Sequence, residues 1–130
     1  MHKILIVDDH ADIRDLLRMT LELAQSFEMA EAVNGEAAVA EAERLKPDLV
    51  LMDIMMPGAI DGIEACRRIK ALPGGDQIKV ILVSAKPAED VRQAVKDAGA
   101  DLFLSKPFGP LQLVDSIGAL YAPQAQSSRI

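Results

Sequence analysis

Five short apolar runs punctuate the chain: Ile4–Val7, Phe27–Val33, Leu49–Met52, Ile78–Val83 and Leu102–Leu104. Four of them lack polar alternation, and the second is weaker, with Glu28 and Glu31 inside it. Continuous apolar runs of this length suit strands buried on both faces, as in parallel sheets. Between the runs, apolar residues recur at helical spacing. Ile13, Leu16, Leu17, Thr20, Leu21 and Ala24 form one stripe, and Ala38, Ala42 and Leu45 a smaller second. Ile63, Cys66 and Ile69 give a third, Val91, Val95 and Ala98 a fourth, and Val114, Ile117 and Tyr121 a fifth. Asn34-Gly35, Pro57-Gly58, Pro73-Gly74-Gly75 and Ala98-Gly99 sit where turns are needed.

Strand and helix therefore alternate five times, which predicts a parallel sheet with helices on both faces. Right-handed crossovers leave few topologies, and the compact five-strand solution is the doubly wound, flavodoxin-like order 2-1-3-4-5. A chain of 130 residues suits one such domain, expected over residues 1–121. Residues 122–130, APQAQSSRI, read as a tail or the start of a linker.

In open α/β sheets, ligands bind beyond the carboxyl ends of the strands. Asp8 and Asp9 follow the first run, Asp53 the third, Ser84 the fourth, and Lys106-Pro107 the fifth. The predicted strand order makes these four strands neighbours, so three acids, a hydroxyl and a lysine converge on one edge. Clustered carboxylates repel one another, and a hard divalent cation relieves that repulsion. An all-oxygen set with room for water suits Mg²⁺. The lysine and hydroxyl can both bind a phosphoryl oxygen. Together these groups equip the edge to form an aspartyl phosphate.

Charge and cysteine content narrow the partners. The net charge of −6 argues against direct nucleic-acid binding, which needs clustered Lys and Arg. Cys66 is the only cysteine and falls between Ile63 and Ile69 on an apolar face, so a buried thiol in a reducing compartment is expected. The start, MHKILIVDDH, turns acidic too soon for a signal peptide, and no stretch approaches the roughly 18 apolar residues of a membrane helix. A cytoplasmic protein without membrane contact is the expectation.

The segments IVDDH at 6–10, DLVLMDIMMPG at 48–58, LVSAKP at 82–87 and DLFLSKPF at 101–108 resemble the motifs of the receiver domain of two-component response regulators, chemotaxis-type receivers included. The resemblance covers about residues 2–121. It implies that Asp53 is the phosphoacceptor and that Asp8, Asp9 and Asp53 hold Mg²⁺ with the Met55 backbone carbonyl. It implies that Ser84 is the switch hydroxyl, Lys106 the phosphoryl-binding lysine and Phe103 the switch aromatic, with a cis bond before Pro107. Met55 and Lys86 take the positions that flank the path of the hydrolytic water. The implied partners are a sensor histidine kinase or histidine phosphotransfer protein, and a downstream protein or output domain. The latter would read the face formed by the fourth helix, fifth strand and fifth helix.

Two features depart from the family pattern. The loop Pro57-Gly58-Ala59-Ile60-Asp61-Gly62 is one residue longer than the usual Pro-Gly-x-Asp-Gly. Residues 111–122 contain no Lys or Arg, and Asp101 stands alone, so the dimer of winged-helix transcription factors is not expected. Three further residues invite simpler readings. His10 is read as a solvent-facing residue at a helix start rather than a ligand, and His2 as an exposed terminal residue. Phe103 also suits a plain core position. A haloacid-dehalogenase-type phosphatase shares the aspartyl phosphate, but it needs an acid where Met55 stands. A constitutive interaction domain with no phosphorylation remains as the third reading.

Overall fold

The computed structural model describes residues 3–24 and 28–120, with the side chain of Ala24 outside that description. The order is β1 (Lys3–Val7), α1 (Ala11–Ala24), β2 (Glu28–Ala32), α2 (Gly35–Leu45), β3 (Leu49–Asp53), α3 (Gly62–Ala71), a 3-10 turn (Gly75–Gln77), β4 (Lys79–Ser84), α4 (Ala88–Asp97), β5 (Leu102–Ser105) and α5 (Pro110–Leu120). The strands form one parallel sheet in the order β2-β1-β3-β4-β5, as the sequence predicts.

Alternation along each strand splits the core in two. Leu5, Val7, Val50, Met52, Val80 and Leu82 pack with Ala38 and Ala42 of α2, Ala65, Cys66 and Ile69 of α3, and Val91 and Val95 of α4. Ile4, Ile6, Leu49, Leu51, Ile81, Val83 and Leu104 pack with Leu21 of α1 and Leu113 and Ile117 of α5. Side chains of successive residues point to opposite faces, so a strand buried on both sides, as β1, β3 and β4 are, reads as an unbroken apolar run. β2 is an edge strand, half-buried through Met29–Glu31, which explains its weaker signal. Among the described residues, no helix is long and apolar enough to cross a membrane.

Several apolar residues fall elsewhere than their spacing predicts. Leu16 is exposed, and Arg14 and Arg18 of the same helix instead bind Glu31 of β2 at 2.8 Å and 2.8–3.0 Å. These hydrogen bonds, Arg14 first and then Arg18, hold the Glu31 carboxyl below its usual range. Val33 is exposed beyond the end of β2, where Asn34 already caps α2 by accepting the Ala37 N–H at 2.8 Å. On α5, Leu113 is buried and Val114 only half-buried. Phe27, Tyr121 and the tail at 122–130 lie outside the described residues.

Candidate functional site

The carboxyl ends of β1, β3, β4 and β5 meet at one edge. Val7 is paired with Met52, Asp53 with Val83, and Ser84 with Ser105. Asp8, Asp53 and Ser84 are the buried polar residues of the described chain. Burial of a carboxylate is costly unless partners compensate, so the partners define what this edge can do.

Asp53 has one partner on each oxygen. Oδ1 accepts the Met55 N–H at 3.2 Å, and Oδ2 accepts from Lys106 Nζ at 3.0 Å. Lys106 Nζ also lies 3.7 Å from Asp8 Oδ2, so one ammonium bridges two strands' acids. Loss of water pulls the pKa of Lys106 down. The hydrogen bond and charge of Asp53, with the charge of Asp8, outweigh that and raise it. The Lys106–Pro107 peptide bond is cis. Ser84 is buried, and its Oγ accepts the Lys86 N–H at 3.0 Å. The Lys86 and Met55 side chains are exposed.

Glycine fixes the frame around Asp53. A Cβ at Gly62 would stand 2.2 Å from the Asp53 carbonyl oxygen, so only glycine lets α3 begin against the end of β3. The Gly62 N–H donates to the Ile54 carbonyl at 2.9 Å, and Asp61 caps α3 by accepting the Glu64 N–H at 2.9 Å. The longer loop before them is anchored. Ala59 N–H donates to the Glu36 carboxylate at 3.1 Å, and Ile60 lies against Gly35 at the start of α2.

The expected metal ligands divide. Among the described residues, Asp8, Asp9 and His10 form a group of potential donors whose ligand atoms lie within 4.8 Å of one another. Asp53 is outside that trio, its Oδ2 taken by Lys106. His10 faces solvent as expected, yet its ring turns back: Nδ1 lies 3.1 Å from Asp8 Oδ1 and 3.3 Å from Asp9 Oδ1. Its hydrogen bond to Asp8, then the charge of Asp9, raise the imidazole pKa. A local turn aims the ring, because the His10 backbone N–H donates to Asp8 Oδ1 at 2.9 Å. The signal for this was three ligand-type residues in a row.

Asp9 Oδ1 is sealed from solvent without a hydrogen-bond partner. A carboxylate oxygen sealed from solvent, without a hydrogen bond and met only by the His10 ring at 3.3 Å, fits a hard divalent cation beside the other oxygen donors. Phe103 is half-buried rather than a full core residue. Its ring lines an open groove of about 230 Å³ with Ala88, Arg92, Val95 and Lys96 of α4. Cys66 is fully buried, and burial pushes its thiol up to about 11, far from a reactive range.

Comparison with known proteins bears on this geometry. The family described as the response regulator receiver domain matches residues 4–118. The transcriptional regulatory protein ResD of Bacillus subtilis is 43% identical over 129 residues, covering 97% of this chain and 50% of ResD. The chain thus spans about half the length of that relative. The chemotaxis protein CheY of Halobacterium salinarum is 44% identical over 116 residues, 88% of this chain and 92% of that protein. Among solved structures is the receiver domain of the sensor histidine kinase PA1611 from Pseudomonas aeruginosa PAO1, with a magnesium ion in its active-site cleft. It superposes with a TM-score of 0.82 at 28% identity, covering 91% of this chain and 95% of that one. The match runs through all five strands and every segment that brings an acid, the hydroxyl or the lysine to the sheet edge; this chain belongs to the response-regulator receiver family.

Proposed function

We propose that the domain is a phosphorylation-controlled switch in which Asp53 accepts a phosphoryl group from a histidine kinase or a histidine phosphotransfer protein. The observation that carries this reading is the Asp53 carboxylate at the end of the central strand, buried yet bonded to the Lys106 ammonium. In the transfer, an Asp53 oxygen attacks phosphorus, the donor's P–N bond breaks, and the donor imidazole leaves with the bonding pair and takes a proton from water. Lys106 then pairs with phosphoryl oxygen in place of Asp53 Oδ2.

Asp8, Asp9 and Asp53, with the Met55 backbone carbonyl, would hold Mg²⁺. When bound, the cation supplies positive charge that offsets the clustered carboxylates and the developing charge on the phosphoryl oxygens. The sealed oxygen of Asp9 and the magnesium held by the PA1611 receiver support this assignment. As a receiver, the domain is not an enzyme beyond its own phosphorylation and dephosphorylation, so the phosphatase reading falls away.

The switch uses Ser84 and Phe103. Ser84 Oγ exchanges its local bond with the Lys86 N–H for one to the phosphoryl group, drawing the β4–α4 segment inward. The half-buried Phe103 ring then moves toward the vacated space, and the population shifts to a different α4–β5–α5 face. A downstream protein or output domain reads that face. The relatives ResD and CheY support two outcomes, a regulator twice this length and a stand-alone receiver. The receiver unit itself spans residues 1–121, followed by a tail or linker.

The test is incubation with acetyl phosphate and Mg²⁺. One acid-stable, base-labile phosphoryl group per chain is expected, and none in Asp53→Asn. Undiminished labelling of that variant would sink the assignment.

A further inference from the structure

The stretch between Asp53 and α3 departs from the family pattern by one residue, and the proposed function gives that extra residue no part. Residues 54–61 run from the end of β3 to the start of α3. Both ends of the stretch are fixed. The Ile54 N–H donates to the Val83 carbonyl at 2.8 Å, the Ile54 carbonyl accepts the Gly62 N–H at 2.9 Å, and Asp61 caps α3. An added residue brings two more soft dihedrals to the segment between them, and ordering these costs entropy.

The middle of the loop is held by α2. Glu36, in the first turn of that helix, accepts the Ala59 N–H through Oε2 at 3.1 Å. Its Oε1 faces Gly58, where φ is +118° and a Cβ would stand 2.9 Å from that oxygen. Glycine suits the position on both counts. A Cβ on Gly35 would stand 2.7 Å from Ile60 Cγ1 and 3.0 Å from the Ile60 carbonyl oxygen. Three successive loop residues thus rest on two successive helix residues. An acid in a first helical turn also suits the helix dipole without any loop beside it. Here both carboxylate oxygens are turned to the loop.

The anchored residues are close to the site along the chain. From Met55 to Gly58 the backbone passes only through Met56 and Pro57. The proline ring fixes its own φ and restricts the residue before it. The placement of Gly58 and Ala59 is therefore carried back to Met55, whose N–H bonds Asp53 Oδ1 at 3.2 Å.

We infer that Glu36 is a positioning residue for the cation site: it seats the lengthened loop on α2 and so holds the Met55 backbone carbonyl where Mg²⁺ meets it. The inference rests on the proposed function, which gives that carbonyl to Mg²⁺. Without Glu36 the loop samples more positions, and the cation must order it on binding, so affinity falls. Once Mg²⁺ saturates the site, the loop is ordered again and phosphoryl transfer proceeds as before.

The experiment compares the full chain with its Glu36→Ala and Glu36→Gln variants. ¹⁵N amide spectra follow a Mg²⁺ titration, and acetyl phosphate labelling is timed across the same Mg²⁺ range. Glu36→Ala should need about fivefold more Mg²⁺ for half-saturation in both measurements, the scale of one hydrogen bond. Its labelling rate at saturating Mg²⁺ should stay within about twofold of the wild type, since only ground-state binding is lost. Glu36→Gln removes the charge but keeps an acceptor oxygen, so it should recover most of the loss. A purely Coulombic effect of Glu36 on the cation would impair both variants alike. Wild-type half-saturation in Glu36→Ala, a saturating rate that falls as far as the affinity, or a Gln variant as impaired as the Ala variant would each overturn the inference. The Met56 amide shares its peptide unit with the Met55 carbonyl and should shift with Mg²⁺ in the wild type. No shift there would strike at the cation assignment itself and take the inference with it. A normal shift with unchanged affinity in Glu36→Ala strikes only at the role of Glu36.

Discussion

At the N-terminal edge of the sheet, Asp101 Oδ2 accepts from Lys70 Nζ and from the Val80 N–H, both at 2.8 Å. Lys70 Nζ also donates to the Ile78 carbonyl at 2.6 Å, and Asp48 Oδ2 accepts the Lys3 N–H at 2.8 Å. At the opposite edge, Asp8, Asp9 and Asp53 share the Lys106 ammonium and the His10 ring, and one oxygen of Asp9 has no hydrogen bond at all. Both edges place aspartates against strand ends. At one, the fold's own donors meet the acids, so the acids stabilise the chain. At the other, acids outnumber cations, so the cluster opposes folding and holds its binding capacity for something from outside. A pair of identical side chains thus has opposite signs of contribution, set by partners rather than by residue type.

The comparison can be broken by substitution at each edge. Asp101→Ala should lower stability by about 2 kcal/mol, because it leaves the part-buried Val80 N–H without its acceptor and the Lys70 ammonium without its counter-charge, held only by the Ile78 carbonyl. Urea denaturation measures the loss, and phosphorylation of the folded variant should persist. Asp9→Asn should act in the other direction. Removing one negative charge from the cluster should raise the stability of the metal-free protein by about 1 kcal/mol while weakening Mg²⁺ binding. Denaturation in chelator and again in Mg²⁺ reads both effects; destabilisation in chelator would contradict the contrast.

Titration sharpens the same point. The Glu31 carboxyl is held below its usual value of 4.5 by Arg14 and Arg18. Its contribution to stability is therefore present above that value and is lost as pH falls through the lowered one. Lys106 has the opposite sign, since its pKa is raised above 10.5: its contribution is present below that value and is lost as pH rises through the raised one. Glu31→Gln should flatten the acid limb of the stability profile, and Lys106→Met the alkaline limb. A smaller effect is expected on phosphoryl lifetime. Met55 and Lys86 are exposed beside the site, so Lys86→Ala and Met55→Asn should hasten loss of the phosphoryl group by only about two- to fivefold, the scale of an exposed ion pair. Decay of both variants at or below the wild-type rate would remove these side chains from control of the water.

The sheet was legible because the three inner strands, buried on both faces, read as unbroken apolar runs, and the runs of β1, β3, β4 and β5 each end at a polar residue on the binding edge. The helices were less so. The α5 segment is apolar around much of its circumference, with Leu111, Leu113, Val114, Ile117 and Leu120, so periodicity cannot choose between Leu113 and Val114. On α1, the Arg14 and Arg18 pairing to Glu31 accompanies a helix orientation that leaves Leu16 in water. At the site, strand-end positions disclosed which residues gather. The turn of His10 onto Asp8 and Asp9, and the anchoring of Ala59 and Ile60 on α2, depend on contacts that no local spacing encodes.

The central claim is that Asp53, among all the acids at this edge, carries the phosphoryl group. Borohydride reduction of the acetyl phosphate-treated protein converts an aspartyl phosphate to homoserine, and peptide mass spectrometry then locates it. The account predicts homoserine in place of Asp53 in a Mg²⁺-dependent reaction, with Asp8 and Asp9 unchanged. Homoserine at either of those two positions, or a phosphoryl group found on Ser84, would contradict it.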